Sequence, residues 1–282
     1  MSLLLAAVLA GCSTLRLAYT QAPLLSFWRV DSYFDVSHAQ APQVRTAIDD
    51  WYRWHRADEL PLYADLLTRL AREAMQPTTA GQVCAWWDEG MARLDAGIAQ
   101  ALPAAASLAG LLTPPQIAHL ERRYQKLNRR YADDFLQPTA EARQRAQVKR
   151  IVERAEDFYG RLDAAQRQRV AETVARSPFD AERALAERRA QQQALVTALQ
   201  QVVDQRPPSR DVQATLQRLA AQWRHSPRAD EAQRRQRVRE FNCALVAEIH
   251  NAATPAQREH ARRKLLGYDA DLRTLAGSAA AE

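Results

Sequence analysis

The chain is 282 residues long, 47% hydrophobic and 26% charged, with only 8 glycines. That composition excludes a disordered chain and is enough to bury a core, as one large domain or two ordinary ones. The net charge of +6 comes from 39 Lys and Arg against 33 Asp and Glu, and all of the basic residues except Lys126, Lys149 and Lys264 are arginine.

At the start of the chain, Leu3 to Val8 is apolar and uncharged and is followed by Leu9-Ala10-Gly11-Cys12. A short apolar stretch ending in small residues reads as a signal peptide over residues 1–11, too short to span a bilayer. With Cys12 at the cleavage point, the segment resembles a bacterial lipobox, in which the Cys thiol is acylated and becomes the new N-terminus. By the same resemblance, Ser13 in place of Asp implies the outer membrane, with the domain on its periplasmic face. Met1-Ser2 carries no basic residue, so the true start is expected upstream. An acylated chain has the membrane as its first partner through the N-terminal lipid. Export removes nucleic acid from the partners of a basic protein. It leaves unfolded protein, another envelope protein, or an anionic envelope polymer reached through long-range, salt-screened attraction.

Residues 12–36 form the lipid anchor and an apolar N-terminal segment, with no Gly/Ser linker to the rest of the chain. Leu15 to Phe34 is expected to pack on the helical body. The alternative is the membrane interface, which suits Trp28 and Tyr33. Residues 37–276 are expected to form a single helical domain. Four capping boxes mark helix starts, at Ser37-x-x-Gln40, Thr113-x-x-Gln116, Asp163-x-x-Gln166 and Thr254-x-x-Gln257. Pro114 and Pro255 stand at first helical positions, where a missing N–H costs nothing. Pro42 weakens the Ser37 start.

Between these starts, apolar residues recur at i, i+3, i+4 spacing. The clearest stripes are Trp51, Trp54 and His55; Leu60, Tyr63, Leu66, Leu67 and Leu70; Leu120, Tyr124, Leu127 and Tyr131; Leu195, Leu199, Val202 and Val203; and Phe241, Leu245 and Ile249. No period-two run of β-branched residues occurs. The pattern predicts an all-α, multi-helix bundle of about nine or ten amphipathic helices, without a sheet. Residues 277–282 are expected to be a disordered tail.

Beyond Cys12 the cysteines are Cys84 and Cys243. In an oxidising compartment an even pair invites a disulfide, the alternative being two separate buried thiols.

No nucleophile elbow, phosphate loop, dinucleotide fingerprint or zinc-protease helix is present, and the six histidines are scattered. The reading therefore assigns no catalytic residue, no metal and no cofactor. Carboxylates pair at Asp49-Asp50, Asp88-Glu89 and Asp133-Asp134, but neighbours on a helix point about 100° apart. The best binding candidate is aromatic: Trp51, Trp54, His55 and Arg56, together with Trp86 and Trp87 beside Cys84. Such residues make a groove for an unfolded segment or a glycan, or else a plain aromatic core. The arginine runs at 122–130, 143–154, 234–239 and 258–264 are interleaved with Glu, as on solvated, ion-paired helix faces.

Tyr19-Thr20-Gln21-Ala22-Pro23, Asp31-x-Tyr33-Phe34-Asp35, Gln40, Trp54-His55-Arg56 and Glu59-Leu60-Pro61-x-Tyr63 resemble an uncharacterised proteobacterial lipoprotein family. That resemblance implies export and anchoring at Cys12, and no activity. Leu112-Thr113-Pro114-Pro115-Gln116 is similar to the Leu-Thr-x-x-Gln motif of small helical periplasmic stress proteins. Residues 162–166 and 253–257 each depart from it at one position. The expected function is a non-enzymatic binding, scaffold or chaperone-like role in the Gram-negative envelope. The alternative is an envelope enzyme that acts on cell-wall glycan through paired carboxylates.

Overall fold

The structure, a computed structural model, describes residues 14–278. Residues 1–13, including the expected signal segment and Cys12, lie outside the described residues, as do residues 279–282. The described chain is helical throughout: α1 (Thr14–Phe34), α2 (Ala41–Trp54), a π-helical turn (His55–Glu59), α3 (Leu60–Glu73), α4 (Ala80–Ala109), α5 (Pro114–Phe135), α6 (Ala140–Tyr159), α7 (Ala164–Val174), α8 (Ala181–Gln205), α9 (Ser209–Arg224), α10 (Ala229–Asn251) and α11 (Pro255–Ser278). Among the described residues there is no strand. Since α2, the π turn and α3 follow without a break, they make one continuous helix. The all-α bundle expected from the periodicity is the fold. α11 runs through Ser278, so residues 277 and 278 of the expected tail are helical.

The described helices gather into two compact units, one reaching to Arg72 and resuming at Arg262, the other spanning Glu73–Ala261. No Gly/Ser linker marks this division, which falls within α3 and α11. In the first unit α1 packs along α2. Phe27 is the buried residue of α1, and the Arg45 guanidinium covers its ring at 3.7 Å. The Ser26 and Tyr52 hydroxyls are hydrogen-bonded at 2.9 Å. The far end of α11 is tied to α3 by Arg273, which pairs with Asp65 at 2.9 Å, and by Thr68, which donates to Asp269 at 3.1 Å.

In the second unit the 30-residue α4 packs on α9 and α10, α5 on α8, and α6 on α7. Its core is built mostly from Val, Leu and Ala. One cluster joins Val83, Cys243 and Ala247 with Ala80, Cys84 and Trp86 around it. Another joins Val170, Val174 and Leu245, flanked by Ile151, Phe241 and Ile249. Gly160 ends α6 at φ 78, a left-handed value that suits glycine at a helix C-terminus.

The expected capping boxes at Thr113, Asp163 and Thr254 form, each Gln accepting from the N-cap amide at 2.9–3.1 Å. A fifth, missed in the sequence, opens α4 at Thr79-x-x-Gln82. At Ser37 the reciprocal bonds also form, but they close a turn ahead of α2, which starts at Ala41 with Pro42 in its first turn. Two boxes interlock. The Gln166 amide donates to Gln257 at 2.8 Å and to the Ala252 carbonyl at 2.9 Å. The two Leu-Thr-x-x-Gln-like segments at 162–166 and 253–257 thus serve as one joint between the starts of α7 and α11.

Cys84 on α4 and Cys243 on α10 form a disulfide, with Cα atoms 5.4 Å apart and 159 residues between them in sequence. Replacing both with Ser should lower the unfolding free energy of the chain by about 2–5 kcal/mol in denaturant titrations. A midpoint equal to that of the native protein would show that the bridge adds nothing.

Candidate functional site

The π turn is the point at which the long α2–α3 helix gains a residue. The Leu60 amide bonds to the His55 carbonyl, five residues back. Single π turns inside α-helices recur at functional sites. This one buries Glu59 and Leu60 and sets His55 among aromatic rings. Trp51 stacks on the imidazole at 4.7 Å and 20°, as expected for residues four apart on a helix. Trp54 and Tyr63 flank it at 6.3 and 5.9 Å. Tyr19 of α1 lies parallel at 5.9 Å, and its hydroxyl shares a 2.8 Å hydrogen bond with His55 Nδ1. The Arg56 guanidinium stands 5.9 Å from the Tyr19 ring.

Burial governs the protonation here. It pushes the Tyr19 phenol up to about 12, against the opposing pull of Arg56, and pushes the His55 imidazole below its ordinary value. Both groups are therefore neutral near pH 7. Trp51, Trp54, His55 and Arg56 are all half-buried. They are fixed on their inner side and reachable on their outer side. Stacked rings beside a guanidinium suit a planar or apolar group. Tyr19 and Tyr63 were missed as site residues, although both stand in the segments that carry the lipoprotein resemblance.

Trp86 and Trp87 belong to the second compact unit, so the four tryptophans do not gather within one unit. Trp86 packs on the disulfide cluster, and its indole N–H donates to Glu73 at 3.0 Å. Trp87 is 57% exposed. Asp88 binds Arg239, which also donates to the Cys84 carbonyl. All six paired carboxylates are exposed, and Asp50 forms an ion pair with Arg53 at 2.7 Å.

A second Tyr–His pair sits inside the second unit, and the sequence reading did not single it out. His250 is 5% exposed, on the α10 face that carries Cys243 and Ala247. Its Nε2 lies 2.8 Å from the Gln76 carbonyl, and its Nδ1 lies 3.0 Å from the Tyr159 hydroxyl. A carbonyl only accepts, so neutral His250 carries its proton on Nε2 and Tyr159 donates to Nδ1. Next to it, the Asn251 side chain bonds both the N–H and the C=O of Thr78 at 2.9 Å. Burial lifts Tyr159 to about 12. Burial also lowers His250 from its usual 6.5, with the Gln76 carbonyl opposing and Arg258 adding to the shift. An open pocket lies on the neighbouring faces of α7 and α10, lined by Leu162, Gln166, Val170, Leu245 and Glu248. Among the described residues no group of His, Cys, Asp and Glu is placed to hold a metal ion.

Below about pH 6.5 the unfolded chain takes up a proton that the folded His250 site refuses. Stability present above that pH should therefore fall as the pH drops, until the lowered folded value is passed. In His250→Gln the dependence between pH 7 and 5 should flatten, as read from thermal midpoints. An unchanged pH profile in that variant would remove His250 as its source.

These features define an all-α helical protein whose chemistry-bearing side chains are aromatic rings and neutral histidines in helical seams. The chain belongs to a family of unknown function, DUF6279, whose model matches residues 32–228. The matched segment holds Trp51 through Tyr63, Cys84, Trp86 and Trp87. Tyr19, Cys243 and His250 fall outside it. No curated protein and no solved structure matches the chain.

Proposed function

We propose that the protein is an outer-membrane lipoprotein, acylated at Cys12 and facing the periplasm, with a binding or chaperone-like role and no catalytic one. The observation that carries this reading is the Cys84–Cys243 disulfide. Of 3 cysteines in the chain it leaves Cys12 outside the bridge, at the end of the lipobox-like run, and a structural disulfide fits an oxidising compartment. The binding surface in this reading is the outer side of the aromatic group around the π turn. Arg56 and half-buried Trp51 and Trp54 there suit an aromatic or apolar segment of an unfolded envelope protein.

Intact mass of the native protein should show Cys12 as an acylated N-terminus, and Cys12→Ser should move the chain from the membrane to the soluble fraction. A free Met1 with an unmodified Cys12 would overturn the anchor.

The full chain should also suppress aggregation of thermally unfolded client proteins. Trp51→Ala and Trp54→Ala should each weaken client binding at least about fivefold with helicity retained. Wild-type protein that leaves several aggregating clients unaffected would end the chaperone reading.

A further inference from the structure

We propose that the outward face of α1 is a membrane-surface element, lying in the boundary between headgroups and acyl chains of a phospholipid bilayer. The inference extends the anchor reading above, since Thr14, where α1 begins, is two residues after Cys12.

One side of α1 is already taken up by packing and polar contacts. Phe27 beneath Arg45, Ser26 on Tyr52, Tyr19 on His55, and Arg16 on Asp271 at 3.1 Å all face the first compact unit. The opposite side carries Leu17, Leu24, Leu25 and Trp28, which are 62%, 38%, 50% and 56% exposed. Their spacing of i, i+7, i+8 and i+11 places them on one stripe, with Gln21 between. Single exposed apolar side chains are ordinary; a contiguous stripe on a helix whose other side is pinned marks an interaction surface.

Charge and length select the occupant. From Met1 through Val30 the chain contains no Asp or Glu, and Asp31, one turn beyond Trp28, is half-buried and accepts from the Val36 N–H at 2.9 Å. Exposed Arg29 stands beside Trp28 and donates to Tyr33 at 3.0 Å. Trp, Tyr and Arg together at one end of an apolar stripe are the side chains that settle at headgroup depth. Leu17 to Trp28 covers only about 16 Å at 1.5 Å per residue, and no described helix is long and apolar enough to cross a membrane. The helix therefore lies in the plane of the surface. Four side chains on so short a strip fall short of the roughly 800 Å² per partner that a stable protein interface buries, which disfavours a second copy of this chain as the occupant.

The test uses the full chain carrying Cys12→Ser, so that no acyl group contributes. It should float with phosphatidylethanolamine–phosphatidylglycerol vesicles, and brominated phospholipid should quench part of its tryptophan emission. The added triple change Leu24→Glu, Leu25→Glu and Trp28→Glu should weaken flotation at least about tenfold with helicity and thermal midpoint unchanged. Trp28→Phe alone should abolish the quenched component while leaving flotation nearly intact. This second variant decides the matter if the triple variant fails to fold, and Leu3 to Val8 is common to every arm. Flotation unaffected by the triple change, quenching unaffected by Trp28→Phe, or concentration-dependent dimers lost in the triple variant without any vesicle binding would each overturn the proposal. Vesicle binding with an unmodified Cys12 in the native protein would remove the anchor and keep α1. An acylated Cys12 without vesicle binding by the Cys12→Ser chain would do the reverse.

Discussion

The bond between Cys84 and Cys243 joins α4 and α10 in a seam built mostly from small side chains. Its surroundings are Val83, Ala247, Ala80 and Trp86, and small side chains bury little apolar area, at about 25 cal/mol per Å². Small residues also let α4 and α10 come close, and the bridge secures that approach. Arg239 seals the same seam by reaching Asp88 and the Cys84 carbonyl. Along α10, two residues beyond Cys243, Leu245 enters the cluster with Val170 and Val174. Two turns beyond Cys243, His250 reaches Gln76 and Tyr159. One helix, fixed at one point, thus delivers the apolar and the polar parts of its unit in register.

The two Tyr–His pairs solve different problems with the same atoms. His250 has both ring nitrogens in hydrogen bonds and is almost wholly buried, which is what a polar group requires in a dry seam. His55 is half-buried, with its ring held by stacking on Trp51 and its Nδ1 by Tyr19. The first arrangement fixes helix ends. The second leaves aromatic faces accessible on a helix that a π turn has re-aimed. That contrast makes the group around His55 the binding candidate and His250 a structural one.

The sequence reveals helices well because helix starts and stripes are local properties. Thr113, Asp163 and Thr254 cap as their spacing demands, and Trp51, Trp54 and His55 share a face because residues three and four apart must. Thr79-x-x-Gln82 has the same spacing and was overlooked among the short residues that surround it. What stays hidden is non-local. Nothing in the spacing of Gln166 and Gln257 says that their amides meet, nor does any local pattern place Tyr19 on His55. The π turn is hidden for another reason: one extra residue shifts the helical phase by about 100° without changing residue type. The division into two units falls inside α3 and α11, where composition is continuous.

α1 shows the cost of reading hydropathy without packing. A helix apolar on nearly every side is ordinarily a buried one, and packing on the helical body was the expectation for Leu15 to Phe34. Yet of the 21 residues of α1 only Phe27 is buried. Periodicity fails here because polar and apolar side chains are mixed on the inward face, where Arg16 and Ser26 stand beside Phe27, so no single stripe stands out. Half of the expectation holds: Phe27, Ser26 and Tyr19 do face α2 and the π turn. The other half leaves Leu17, Leu24, Leu25 and Trp28 outside. An apolar strip with tryptophan and arginine at one end, its nearest carboxylate, Asp31, half-buried and bonded to the Val36 amide, is poorly matched to water and well matched to a lipid interface. Under the proposal that this outer side lies on a bilayer, the same helix that completes the site around His55 would hold the aromatic group at a set distance from the membrane.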